Sequence, residues 1–200
     1  MTAREQYAPG PARGAQVQRD GEKWTLVVVR ELRHSPEKFW QALTDPAQLR
    51  EWAPFDADKS LAAVGNTVKL TTVGAPSLHV TETKVTRADA PNSLEYNWGG
   101  FDMRWELEAL QPATPKRDGA KAGGTRLTLW TNIDRRFIAM GAAGWHLCFD
   151  VLDHLLSGDP LGRIVGPDAM KVGGWPRLLA EYAQQFGVET PNWPPKPARE

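Results

Sequence analysis

The sequence predicts an α+β fold: a curved antiparallel sheet of about six strands gripping a long C-terminal helix, with two short helices after the first strand and an extra helix near the C-terminus. Three observations carry this. From Ile138 to Gly158, the residues Trp145, Cys148, Phe149, Leu152 and Leu156 recur at helical spacing. From Phe101 to Leu110 the chain alternates, with Phe101, Met103, Trp105, Leu107 and Ala109 set between Asp102, Arg104, Glu106 and Glu108. Between Trp24 and Ile133, further short β-prone runs are punctuated by Gly, Pro and Asn. A sheet with one dry face buries it by wrapping around the apolar side of such a helix.

The elements follow in order. Residues 1 to 22 mix Pro, Gly, Arg and Gln without periodicity, which predicts a flexible N-terminal tail. A single domain is expected over residues 23–187. Its first strand starts at the β-branched run Trp24-Thr25-Leu26-Val27-Val28-Val29 and ends near Leu32. Ser35 then offers an N-cap and Pro36 a first helical residue with no donor to waste, giving a short helix through Leu43. Asp45 and Pro46 repeat the device, with Gln48 placed to reach back to the cap, and the second helix carries Leu49 and Trp52.

Val68 to Val73, Leu78 to Val85 and Leu94 to Trp98 read as strands of a meander, followed by the alternating Phe101 strand. Residues 112–124 form a polar hairpin loop before a strand from Thr125 to Ile133. The long helix is amphipathic: Trp145, Cys148, Phe149, Val151, Leu152, Leu155 and Leu156 occupy one side, and His146, Asp150, Asp153, His154 and Ser157 the other. Gly158, Asp159 and Pro160 stop it. After a connector from Leu161 to Gly174, a helix carries Trp175, Leu178, Leu179, Tyr182 and Phe186, and residues 188–200 form a Pro-rich flexible tail.

Composition narrows the function. Lys plus Arg equals Asp plus Glu at 24 each, so no net field recruits nucleic acid or an anionic membrane surface. No apolar run approaches the roughly 20 residues needed to span a bilayer, and Met1 is followed by polar residues, without the apolar core of a secretory signal. The single cysteine, Cys148, has no internal disulfide partner. These features predict a cytoplasmic protein. Nine tryptophans serve either a bulky core or the aromatic walls of a ligand site.

Motifs for nucleotide, metalloprotease and serine-hydrolase chemistry are absent, so no cofactor and no metal are expected. His146, Asp150 and His154 stand at i, i+4 and i+8, a spacing that suits a divalent metal, but they lie on the polar side of the helix, where a solvated face is the plainer reading. If the Trp175 helix folds over that side, His146 and Asp150 become a hydrogen-bonded pair of structural or acid/base use. Cys148 falls on the apolar face, as packing and not as a nucleophile. His34 and His79 have no sequence partner that implies catalysis. The candidate ligand-binding residues are those of the dry face: Met103, Trp105, Leu127 and Leu129 from the sheet, Trp145, Phe149 and Leu152 from the helix, and Trp52, Phe55 and Trp98. They either interdigitate as plain core or line a pocket of roughly 300 to 1,000 Å³.

Several runs carry a resemblance: Val28-Val29-Arg30-Glu31-Leu32 leading to Ser35-Pro36-Glu37-Lys38-Phe39-Trp40-Gln41-Ala42-Leu43-Thr44-Asp45-Pro46, then Leu49-Arg50-Glu51-Trp52. Asn92-Ser93-Leu94-Glu95-Tyr96-Asn97-Trp98, Arg104-Trp105-Glu106-Leu107, Gly124-Thr125-Arg126-Leu127-Thr128-Leu129 and Gly144-Trp145 follow in order. Over residues 24–157 the chain resembles the START-like, or helix-grip, superfamily, and within it the domain related to the activator of the ninety-kilodalton heat-shock protein ATPase. The resemblance implies a cavity between sheet and long helix. It also implies the range of that superfamily: binders of lipids, sterols, polyketides or hormones, and some cyclases, aromatases and hydrolases. Beyond Gly158 the chain extends past the family's usual end, to lid the cavity or to build a homodimer contact. The expected function is binding of a small hydrophobic or aromatic molecule. An enzyme acting on a polyketide-like substrate through His146 and Asp150 is the alternative, and a protein-interaction or co-chaperone module a second.

Overall fold

A computed structural model describes residues 2–111 and 123–190. The chain forms nine strands, six α-helices and one 3-10 helix (Arg135–Phe137) among these residues. A six-stranded antiparallel sheet runs in the order β1 (Ala15–Asp20), β2 (Lys23–Leu32), β9 (Thr125–Asn132), β8 (Phe101–Ala109), β7 (Ser93–Trp98) and β6 (Arg87–Asp89). A second sheet of three strands holds β3 (Phe55–Ala57), β4 (Thr67–Thr72) and β5 (His79–Lys84). Between β2 and β3 come α2 (Pro36–Thr44) and α3 (Pro46–Trp52). The long helix α4 (Ile138–Leu156) packs against the large sheet, and behind it lie α5 (Pro167–Met170) and α6 (Trp175–Phe186).

Local chemistry sets these boundaries. The Ser35 hydroxyl accepts from the Lys38 amide at 3.4 Å and Pro36 opens α2, while an Asp45 carboxylate oxygen accepts from Ala47 N at 2.8 Å to open α3. In β8 the alternation holds where it matters, with Met103, Trp105 and Leu107 buried and opposite-face Asp102, Arg104 and Glu108 exposed. Trp105 pairs with Leu129 of β9 and Met103 with Thr131. Gly187, at φ 61°, closes α6 in the left-handed conformation that a side chain would resist.

Three expectations change. Residues 2–22 are not a loose tail: β1 pairs with β2 from Ala15↔Val28 to Asp20↔Lys23 across a turn at Gly21 (φ 57°), and a four-residue helix, α1 (Ala3–Gln6), is capped by Thr2. A strand at the sheet edge with only Ala15 buried is held by backbone pairing and polar contacts, so it has little hydrophobic period to read. The six strands of the large sheet are also not the six expected, because β4 and β5 leave the meander to pair with β3, and β1 and β6 take their places. The third concerns the polar side of α4, which is described below. The proposed loop at 112–124 is bounded by a Leu110 N to Gly124 O bond of 2.9 Å, and its residues 112–122 lie outside the described part of the chain. Of the tail 188–200, residues 191–200 lie outside it as well. Among the described residues no helix is long and apolar enough to cross a membrane.

Candidate functional site

The space between sheet and long helix is filled where the sequence places the ligand. Trp52, Trp105, Trp145 and Phe149 interlock, with ring centroids of 6.1 Å for Trp52–Trp105, 5.6 Å for Trp105–Trp145 and 6.0 Å for Trp105–Phe149. The Trp52 indole donates to Ala42 O at 3.0 Å and the Trp105 indole to the Tyr96 hydroxyl at 3.2 Å. Phe55, Met103, Leu127, Leu129 and Leu152 are as fully enclosed. These residues form a packed core.

The open volume lies toward one end of the grip, as a cavity of about 480 Å³. One wall is the far end of the sheet, from Trp98 and Phe101 to Thr131 and Ile133. The second is the first half of α4, with Met140, Gly141, Gly144, Trp145 and Cys148. The third comes from the connector and the start of α6, with Ile164, Val165, Met170 and Trp175. Of the ten ligand-binding candidates, Trp98 and Trp145 border this cavity; Trp52, Phe55, Met103, Trp105, Leu127, Leu129, Phe149 and Leu152 do not. Among the described residues no Asp, Glu, Lys, Arg or His lines it.

Two helical glycines shape the space. A side chain at Gly144 would meet nothing within 4 Å, whereas one at Gly141 would run into the Ile133 side chain. These glycines are the readable signal for the walls of this cavity, since a Gly inside a strong helical pattern usually has a packing or functional reason.

The third wall is tied down by charge-assisted bonds. An Arg163 guanidinium nitrogen donates to Asp56 at 2.6 Å and to Leu49 O at 3.2 Å. Arg4 donates to the carbonyls of Leu161 and Arg163 at 3.3 and 2.9 Å. Gly166 (φ 55°) sits against Gly74, where a Cβ would press on the Gly74 backbone at 2.7 Å. The extension after Gly158 thus takes up a position against the grip.

His146 and Asp150 sit on the opposite side of α4, which is covered and not solvated. His146 is completely buried, and its Nδ1 lies 2.9 Å from the Tyr182 hydroxyl of α6. The Tyr7 hydroxyl donates to Asp150 at 2.7 Å, and the Asp150 carboxylate lies 3.5 Å from His146 Nε2 without hydrogen-bond alignment. Burial works against the Asp150 charge, but His146, Tyr7 and Arg30 outweigh it and hold the carboxyl below its ordinary range. Burial, followed by the neighbouring Asp150, pushes the Tyr7 phenol up. The segment before β1 therefore acts as a strap: Ala12 N donates to Glu181 at 2.7 Å, and Arg13 exchanges bonds with the Tyr182 hydroxyl at 3.2 and 2.9 Å. The pair borders neither the cavity nor its mouth.

The remaining candidates are accounted for. Burial pushes the Cys148 thiol up to about 12, so it stays protonated. His34 Nε2 lies 2.9 Å from Asp153, and His154 lies 3.6 Å from Asp159. His79 lies in β5 beside Thr81 at 3.5 Å. No cluster able to hold a metal ion occurs among the described residues. A wider cleft of about 580 Å³ on the outer face, by Glu82, Glu95, Asp102 and Arg104, is open and charged.

Residues 33–157 match the family model described as Activator of Hsp90 ATPase homolog 1-like protein. The chain belongs to this family. Its members' fold recurs among solved structures. A protein from Mesorhizobium loti is 26% identical, over 67% of this chain and 97% of that one, with a TM-score of 0.51. A conserved protein of unknown function from Enterococcus faecalis reaches a TM-score of 0.61 at 15% identity, over 86% of this chain and 90% of its own. CalU16 from Micromonospora echinospora is 20% identical, over 90% and 97%, with a TM-score of 0.51. No curated protein matches the sequence. The family match ends at residue 157, so the third wall of the cavity is contributed by residues outside it.

Proposed function

We propose that the protein binds one small apolar molecule in the cavity between the end of the large sheet, the first half of α4 and the connector, without covalent chemistry. The observation that carries this reading is the apolar cavity of about 480 Å³ with no charged side chain among the described residues of its walls, inside the usual range for small-molecule sites. A ligand losing roughly 300 Å² of apolar surface there gains about 7–8 kcal/mol. After association costs of about 4 kcal/mol, roughly 3–4 kcal/mol remains, which corresponds to millimolar binding.

Binding is favoured over catalysis by where the titratable groups stand. His146 and Asp150 are held behind α4 by Tyr182 and Tyr7, and the one thiol at the cavity is held protonated. The test uses the three tryptophans that line the site, Trp98, Trp145 and Trp175. Titration with neutral aromatic probes should change tryptophan emission and raise the melting temperature together, saturating at one site. Unchanged emission and melting temperature across such a panel at millimolar concentration would remove the reading.

A further inference from the structure

The following inference rests on the cavity being a ligand site and concerns what that site accepts. Because among the described residues no ionisable side chain other than the protonated Cys148 thiol lines it, a carboxylate or ammonium entering the cavity would leave water with no counter-charge to meet it. The polar groups in its walls are few. The Trp98 indole is already engaged, donating to the Thr72 hydroxyl at 3.1 Å, and the Thr131 hydroxyl makes a long bond of 3.4 Å to Asn132 O.

Trp145 and Trp175 differ. Their side chains are 7% and 9% exposed, and neither indole N–H has a hydrogen-bond partner among the described residues. Nor is either nitrogen among the donors sealed away from solvent without a partner, which belong to Arg30, His146 and Arg163. Each therefore keeps some accessible surface, and the cavity is the space that both residues border. A tryptophan this deeply buried ordinarily satisfies its N–H, so two donors without a partner among the described residues, on side chains that border one cavity, can each take an acceptor from a ligand.

The geometry points to a site that selects an uncharged aromatic ligand carrying a carbonyl-type hydrogen-bond acceptor, received by the indole N–H groups of Trp145 and Trp175. A carbonyl oxygen has two lone pairs and can serve both donors. Trp175 lies outside the family-matched residues 33–157, so this part of the recognition belongs to the extension and not to the shared fold.

Three tricyclic probes of one shape separate the contributions: fluorene, 9-fluorenone and fluorene-9-carboxylate, each titrated into the intact chain at neutral pH. Fluorenone should bind about three- to tenfold more tightly than fluorene, the worth of one net hydrogen bond. The carboxylate should bind more than about tenfold more weakly than fluorenone. In Trp175→Phe or Trp145→Phe, which keep an aromatic ring, the fluorenone-to-fluorene ratio should fall toward one in at least one variant. That ratio is internal to each protein, so a general loss of affinity does not disturb it, and if both variants fail to fold the wild-type ratios decide. A ratio below about threefold in the wild type, a carboxylate within about tenfold of fluorenone, or a ratio unchanged in both variants overturns the inference while leaving a ligand site intact. Failure of all three probes to bind overturns the site itself, and the inference with it.

Discussion

Gly144 gives the sharpest separation of stability from function. It lies inside α4, where glycine costs the helix about 0.5–1 kcal/mol relative to alanine. A Cβ there meets nothing within 4 Å because it enters the cavity. Gly144→Ala should therefore raise the stability by about 0.5–1 kcal/mol, or about 1–4 °C in melting temperature for a domain of this size. Gly144→Leu should be no less stable than the wild type, since its isobutyl group extends into empty space, yet it should lose ligand binding by filling that space. Gly141→Ala, one turn earlier, is the control: its methyl collides with Ile133 and should yield little or no gain. Urea unfolding of the three variants, read by circular dichroism, with probe titration alongside, checks the set. A Gly144→Ala protein that is clearly destabilised, or a stable Gly144→Leu protein that still binds at wild-type affinity, would refute the placement of the cavity.

Other expectations follow from the packing and the titration of buried groups. Trp105→Ala, at a site with no exposure and aromatic neighbours on two elements, should cost about 3–5 kcal/mol in chemical unfolding; a loss below 1 kcal/mol would show that this part of the grip is hollow. Asp150 has a lowered folded pKa, so its stabilising contribution is complete above the ordinary carboxylate value of about 3.9 and is lost as pH falls through that value toward the folded one. Asp150→Asn should flatten the acid side of the stability–pH curve, and an unchanged curve would count against the contact with Tyr7 and His146. Tyr7→Phe should cost about 1–3 kcal/mol by taking the hydroxyl off the Asp150 carboxylate. Cys148, with its thiol pushed up to about 12, should react with iodoacetamide only on unfolding, and rapid labelling of the native protein at pH 7 would contradict its burial.

Much of the fold is legible in the sequence because it is written in period and punctuation. Ser35-Pro36 and Asp45-Pro46 mark the starts of α2 and α3, and the dry face of β8 is set by alternation from Met103 to Leu107. What is not legible shares one property: it is held by groups distant in sequence. The edge strand β1 has only Ala15 buried, and its segment is fixed by Tyr182, Glu181 and Asp150, more than 140 positions away. His146 looks solvated on a helical wheel because nothing local says that α6 closes over it. The cavity lies away from most of the residues read as its lining for the same reason. The aromatic residues read as its lining are mutually complementary enough to fill the middle of the grip, and the space remains where Gly141 and Gly144 withhold side chains and the connector supplies a wall.

The strap before β1 has a consequence for biosynthesis. Its seats, Tyr182 and Gln185, emerge from the ribosome roughly 170 residues after it does, since Arg13 and Ala15 bond to partners 169 and 170 positions downstream. The strap must wait, unpaired with its final neighbours, until α6 has been made, and contacts of such long range form slowly. The native grip is thus completed by joining residues about 170 positions apart, and a nascent chain arrested before α6 would leave His146 and Asp150 open to water.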